Sequence, residues 1–431
     1  MRKMKAMKFK SSELGPIPVD WEVKRIGEVG KLMRDSVNTQ VFPDQTYYEY
    51  SMPNYDDGRI PRVVLGRSLF SNKTSIQGEV LLFNKLNVRK RRIWYVKEAL
   101  PNAICSSEFL PYYSKEIDLC FLSYFLSTDK CTSAFEDYST GTSNSQKRIA
   151  PLDFENFTIP LPPIAEQRRI ARALSDVDEL ISVLGKLIEK KRNIKTGAMQ
   201  QLLAGKTRLP GFDARRTEFK QTELGPIPVD WEVKRLGGIG ESIRGVSFRP
   251  EQSSLTLMPS ATMLLRANNI QDNQIICHDV LYVMNECIAG CQQLTEGDIL
   301  ICAANGSRNL VGKAAVWHKA EAATFGAFMA VFRCVKSVDS CFVGYLFQSQ
   351  SYRRQLDDIL TGSAINNLNA KDIEGLAFAF PTLAEQKAIA AVLSDMDAEI
   401  AALEVDRAKY ERIKSGMMQE LLTGKTRLKG E

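Results

Sequence analysis

The chain has 431 residues, 44% of them hydrophobic and 25% charged, with a formal charge of +6. That composition suits a soluble globular protein with sizeable cores in about two to four domains. It excludes a membrane span, since no apolar run reaches the roughly 18 residues one needs, and the mild positive charge permits nucleic-acid binding without demonstrating it.

The start, MRKMKAMKFK, is basic but no apolar stretch follows it, so it does not read as a secretory signal. The nine cysteines are odd in number and irregular in spacing. They suit a reducing compartment better than a disulfide framework, and a cytoplasmic protein is expected.

After this tail comes Glu13–Arg25, which returns unchanged as Glu223–Arg235. Gly15-Pro16-Ile17-Pro18 cannot continue a helix, so the element is extended or a turn. Trp21 is placed to anchor it on the body of its half. A variable block follows in each half, at about 31–160 and 241–380, and the two skeletons align. Gly78–Leu82 matches Gly297–Ile301 as a turn followed by a buried strand. Phe109 matches Phe328, Phe121–Tyr124 matches Phe342–Tyr345 at the start of a helical stretch, and Thr140-Gly141-Thr142 matches Thr361-Gly362-Ser363 in a loop. Each block reads as one α+β domain, with its polar decoration diverged from its twin.

The halves end in matching helical segments. Ala165-Glu166-Gln167 aligns with Ala384-Glu385-Gln386, Leu174-Ser175-Asp176 with Leu393-Ser394-Asp395, and Gly205–Leu209 with Gly424–Leu428. Apolar residues recur in steps of three and four, through Val177, Ile181, Leu184 and Ile188 in one copy and Met396, Ile400, Leu403 and Tyr410 in the other. So narrow a stripe is a coiled-coil seam, interrupted at Lys191, Lys195, Arg407 and Lys414. Ser175 with Asp178, and Ser394 with Asp397, fit an N-cap and an acidic first turn, and Gly205 and Gly424 fit helix ends. From the serine to the last leucines each helix would be roughly 40 Å long. The preferred arrangement is one intramolecular helix pair.

Gly205-Lys206-Thr207 and Gly424-Lys425-Thr426 mimic the end of a phosphate-binding loop. The glycine that such a loop needs five positions earlier is replaced by Gln200 and Gln419. The histidines are His278 and His318 alone, so histidine-based catalysis is poorly supplied. Cys287 and Cys291, near Cys277 and His278, have a weak zinc spacing and read better as buried structural thiols. No catalytic, cofactor or metal site is assigned.

Loops that could touch DNA are better represented. Lys85, Asn87, Arg89, Lys90, Arg91 and Arg92 follow a predicted strand and suit phosphate contact. Asn144, Gln146, Lys147 and Arg148 follow Gly141 and offer base-edge and phosphate partners. In the second block Asn305, Ser307, Arg308, Asn309 and Lys313 occupy the matching post-strand loop, Ser363, Asn366 and Asn367 the loop after Gly362, and Arg266, Asn268 and Asn269 a third group. Asn can pair bidentately with adenine and Arg with guanine.

With these pieces together the chain resembles the specificity (S) subunit of type I restriction-modification systems. The resemblance spans nearly the whole length. It rests on the paired entries Pro163–Gln167 and Pro381–Gln386, on the long helices ending in Leu-Leu-x-Gly-Lys-Thr-Arg-Leu, and on the repeated Gly-Pro-Ile-Pro-x-x-Trp-Glu-x-x-Arg element. It implies a pseudo-two-fold α+β fold with two target recognition domains separated by two long antiparallel helices in a coiled coil. The expected divisions are 1–160, 161–210, 211–380 and 381–431. It further implies a non-catalytic reader of bipartite double-stranded DNA, carrying two methyltransferase subunits and joined by restriction and translocase subunits. S-adenosylmethionine, ATP and magnesium would belong to those partners. The competing expectation is a coiled-coil adaptor between proteins, with no direct DNA contact.

Overall fold

The computed structural model describes residues 8–141, 146–212, 218–361 and 366–428. The chain divides into two compact units, Met1–Gly185 with Val405–Glu431, and Lys186–Glu404. Gly185 and Glu404 are matching positions of the two helical repeats, so each unit takes one end of both long helices.

In the first unit, strand Val80–Asn84 is buried along its whole length, as a short uninterrupted apolar run requires. It lies antiparallel between Ile93–Val96 and Phe109–Tyr113, with Lys31–Leu32 beyond. A second sheet orders Ser36–Val37, Lys73–Ser75, Ala103–Ser106, Thr46–Tyr50 and Arg62–Leu65. Its Ala103–Ser106 and Thr46–Tyr50 strands run parallel.

The second unit repeats the plan. One sheet orders Gly240–Arg244, Met329–Cys334, Ile299–Cys302 and Ala314–Val316. The other orders Ser253–Ser254, Leu281–Met284, Ala261–Leu265 and Ala323–Phe325, again with one parallel pair. Two helices at matching positions of the repeat, Leu119–Leu126 and Ser340–Leu346, start on Asp118 and Asp339. Each of these carboxylates accepts a backbone N–H at 2.8 Å, the capping chemistry a helix start needs. The twins differ in detail, since Phe109 is 2% exposed and its counterpart Phe328 is 72% exposed.

The long helices run Ile164–Leu202 and Leu383–Leu421, 39 residues each, or roughly 58 Å at about 1.5 Å per residue. They begin about three turns earlier than the serine caps suggested. Pro162-Pro163 and Pro381-Thr382 immediately precede them, and proline is tolerated where helical N–H groups have no partner. Ser175 and Ser394 are therefore interior residues. Past the last turn, Gly205 (φ +64°) and Gly424 (φ +69°) take the left-handed conformation, and a Cβ at either would meet a Pro228 or Pro18 ring carbon at 2.5 Å. Glycine is required there on both counts.

Within each unit the helix segments pair antiparallel. In the second unit Lys191 reaches Glu399 at 2.5 Å and Lys195 reaches Asp397 at 2.6 Å, so numbers rise on one helix as they fall on the other. Ile188 and Ile400 are buried, while Val177, Ile181, Leu184, Met396, Leu403 and Tyr410 are half-buried, as a two-helix seam with one wet side allows.

The lysines that interrupt the seam are paired. Lys195 Nζ holds Asp397 at 2.6 Å and sits 5.2 Å from the Tyr345 ring centroid, while Tyr345 donates its hydroxyl to Asp397 at 2.8 Å. In the first unit Lys414 holds Asp178 at 2.6 Å, sits 5.4 Å from the Tyr124 ring, and Tyr124 donates to Asp178 at 2.7 Å. Burial, aided by the neighbouring carboxylate, pushes both phenols above their ordinary pKa. Each clip ties both long helices to the short helix of the adjoining α+β module. Lys191 and Arg407 also have carboxylate partners, Glu399 and Glu411.

The repeated motifs form a second joint. Arg208, past the first long helix, donates to Glu385 at 2.5 and 2.7 Å and to both Asp230 oxygens at 2.9 Å, while Trp231 Nε1 donates to Glu385 at 3.3 Å. In the first unit Arg427 binds Glu166 and reaches Asp20 at 2.8 and 2.9 Å, and Trp21 Nε1 donates to Glu166 at 3.1 Å. Both tryptophans are fully buried. Beside each glutamate, Gln167 and Gln386 accept the N–H of Asp118 and Asp339. The Gly-Lys-Thr-Arg segments thus serve as structural clamps. Each joins the end of one repeat to the start of the other.

Candidate nucleic-acid interface

In the first unit the buried Asn84 amide turns the chain by donating to the Leu86 carbonyl and accepting the Leu86 N–H. Lys85–Arg92 then makes a single helical turn, Val88–Lys90, between Asn87 (φ +53°) and Arg91 (φ +47°). Residues 146–148 lie alongside. Leu86 bridges to Arg148, Asn87 N–H donates to Lys147 O at 2.9 Å, and Ile149 N–H donates to Lys85 O at 3.1 Å. Lys85, Asn87, Lys147 and Arg148 therefore share one place, with Gln146 exposed at its edge. Asn144 lies outside the described residues.

The second unit does the same with other side chains. Ala304 bridges to Asn367, Asn305 N–H points to Asn366 O at 3.4 Å, and Leu368 N–H donates to Ala303 O at 2.8 Å. This gathers Asn305, Ser307, Arg308, Asn309, Asn366 and Asn367, with Lys313 half-buried nearby in sequence. Ser363 lies outside the described residues. In both units two loops that are far apart in sequence converge at matching points of the fold.

The arginines carry partners that spacing did not announce. Arg89 and Arg91 bind Glu136 and Asp129, Arg92 holds Asp56 at 2.6 Å, Arg148 holds Glu108 at 3.1 Å, and Arg308 lies 3.7 Å from Asp357. Hydrogen bonds from Arg92 hold the Asp56 carboxyl below the usual carboxylate range. Among the described residues Lys85, Lys90, Lys147 and Lys313 make no ion pair. The charge of these arginines is thus largely spent on carboxylates, while the lysines keep theirs free, the kind of charge a phosphate contact uses.

The third group folds onto its own hairpin. Asn269 is fully buried and donates to Ile276 O and His278 O, while Arg266 and Asn268 reach Asp279. The Asn269 amide is consumed in holding this loop and is not offered to a base edge. Elsewhere in the same unit, Lys319 donates to Cys277 Sγ at 3.2 Å, and the expectation of buried thiols fails, since Cys291 is exposed and Cys277 and Cys287 are half-buried. No group of three or more His, Cys, Asp and Glu side chains converges among the described residues, and none of the described helices is long and apolar enough to cross a membrane. Sequence reasoning missed the clamp and clip residues Asp20, Asp230, Tyr124 and Tyr345. Their repetition at matching positions was the available signal.

Twin α+β modules on antiparallel helix segments, each with converged polar loops, define a two-module protein built by internal repetition. A family model described as the type I restriction modification DNA specificity domain matches residues 18–191 and again 228–411. The chain belongs to that family, the specificity subunits of type I restriction-modification systems, and carries two target recognition domains. It is 27% identical over 444 residues to the MjaVIII specificity subunit of Methanocaldococcus jannaschii, covering 100% of this chain and 98% of that one. It is 32% identical over 189 residues to the EcoKI specificity subunit of Escherichia coli, covering 44% of this chain and 40% of that one. Among solved structures, the type I S subunit from M. genitalium shares the fold with TM-score 0.60 at 14% identity, covering 97% and 99% of the chains. A chain from a type I restriction-modification assembly gives TM-score 0.57 at 22% identity, covering 95% and 99%.

Proposed function

We propose that the chain recognises a bipartite double-stranded DNA target, one half-site per α+β module, with the long helix pair setting the gap. The observation that carries this reading is the repeated convergence of loops, Leu86 with Arg148 and Ala304 with Asn367, on matching scaffolds with different side chains. Each half-site alone would bind weakly, and a stiff link raises the effective concentration of the second contact, so the split site is read as one. The chain is also a scaffold. Two methyltransferase subunits and restriction and translocase subunits would assemble on it in the cytoplasm, and S-adenosylmethionine, ATP and magnesium would reside on those partners. The chain itself performs no chemistry in this reading.

The test is to co-express the chain with candidate methyltransferase subunits and map the methylated sites. A split consensus with a fixed gap is expected, together with binding that weakens steeply as salt rises. A contiguous site, or salt-independent binding, would reject the reading.

A further inference from the structure

Within residues 31–160, Arg34, Arg67, Arg89, Arg91, Arg92 and Arg148 each hold a carboxylate. Arg59 and Arg62 hold none among the described residues, and of the two only Arg59 has its guanidinium held by another side chain. Arg59 follows Gly58 in a left-handed turn (φ +59°), with its N–H donating to Asn54 O at 3.0 Å. That conformation is disfavoured for a residue with a Cβ and persists only where surroundings impose it.

The surroundings are an aromatic column that rises from the core. Tyr50 and Trp94, 3% and 5% exposed, have ring centroids 4.8 Å apart. Tyr55 meets Trp94 edge-on at 6.0 Å, and the Arg59 guanidinium lies 4.7 Å from the Tyr55 centroid. Arg59 Nη2 donates to the Tyr55 hydroxyl at 2.9 Å, and that hydroxyl donates to the Arg91 carbonyl at 3.2 Å. The column therefore ends on the basic loop and joins Arg59 to the candidate interface. Much of the rotamer freedom an arginine loses on binding is already given up. Nε, Nη1 and the second Nη2 hydrogen have no partner among the described residues, and that Nη2 hydrogen lies parallel to either Nε–H or an Nη1–H, a free donor pair on a charged plane.

We infer that Arg59 reads a guanine, through its O6 and N7 acceptors, in the half-site bound by the first unit. The inference rests on the bipartite reading above and names one base contact within it. A fixed fork with two free donors matches the paired acceptors of guanine in the major groove. A phosphate contact needs no such orientation, and the unpaired lysines already supply charge.

The full chain, co-expressed with its methyltransferase subunits, is selected against duplexes randomised at both half-sites. The half-site that changes when residues 31–160 are exchanged belongs to the first unit. Arg59→Ala is expected to make one guanine position of that half-site degenerate, with a roughly ten- to hundredfold loss of discrimination and an unchanged second half-site. Arg59→Lys should keep affinity within a few-fold and lose the same discrimination, because an ammonium cannot replace the fork. Tyr55→Phe should weaken it partially. An unchanged consensus, or a uniform loss across sequences with a shallower salt slope, would overturn the role of Arg59 while leaving the bipartite reading intact. A wild-type chain that selects no split site would reject the bipartite reading itself.

Discussion

Lys195 and Asp397 lie 2.6 Å apart across the helix pair, and Lys414 and Asp178 repeat that contact at 2.6 Å in the other unit. The pairs exchange under the internal repeat, and each carries a tyrosine from the adjoining module. A lysine placed on a greasy seam lowers affinity for any register that denies it a carboxylate. These contacts therefore fix how the helices slide.

Replacing Lys195 with methionine leaves Asp397 with its tyrosine but no countercharge. Lys195 is 13% exposed at its side chain and Asp397 36%, so screening is only partial. A loss of about 1–3 kcal/mol is expected, with a coupling energy above about 0.5 kcal/mol in the cycle with Asp397→Ala. Urea unfolding of the four proteins measures it. Additive single effects would show that the contact is ornamental.

The clamps predict a larger effect. Arg208→Ala strands the Glu385 side chain, 1% exposed, beside Trp231. A penalty of roughly 3–5 kcal/mol follows from leaving a buried charge unpaired. Arg208→Lys should restore little, since an ammonium cannot serve Glu385 and Asp230 with a planar fork. Thermal unfolding reads the loss, and Arg427→Ala should show a matching one in the first unit.

Acid sensitivity has a definite sign. The Arg427 hydrogen bonds hold the Asp20 carboxyl below its ordinary value of 3.8. A carboxyl with a lowered folded-state pKa contributes stability above its unfolded pKa and loses it as pH falls through the folded one. The chain should weaken as the medium is acidified below that ordinary value, and Asp20→Asn should flatten part of that limb. The effect is modest, because Asp20 is half-exposed. Denaturant midpoints from about pH 6 down to about pH 2 give the comparison.

The proposed ruler can be lengthened. Four residues added after Gly185 and four after Glu404, the matching positions in the two helices, add roughly 6 Å while keeping both clips in register. The preferred gap should grow by about one or two base pairs, with both half-sites unchanged, as read by a binding selection. Adding the turn to one helix alone should destabilise the chain instead, since one clip would lose its partner.

Much of this was legible in the sequence, because repetition is a global signal that local ambiguity cannot hide. The twin modules, the post-strand loops and the glycine helix ends all follow from it. The helix starts did not. Ser175 and Asp178 have the spacing of a cap, yet Asp178 is used by a lysine and a tyrosine from elsewhere in the fold. The charge of residues 85–92 was plain, whereas its neutralisation by Glu136, Asp129 and Asp56 depends on contacts from distant stretches. Nothing in sequence marked Arg59, and only its place over Tyr55, which meets Trp94 edge-on, singles it out.

The Arg427–Glu166 clamp bears on how the polypeptide is made. The unit that holds Met1–Gly185 needs Leu421, Leu422 and Arg427 to finish its core, and those are made only after Lys186–Glu404. The other unit is one uninterrupted stretch, Lys186–Glu404, and holds all of its own parts earlier. The domain translated first is therefore completed second, and until then Glu166 and the Trp21 beside it lack the Arg427 that pairs the carboxylate.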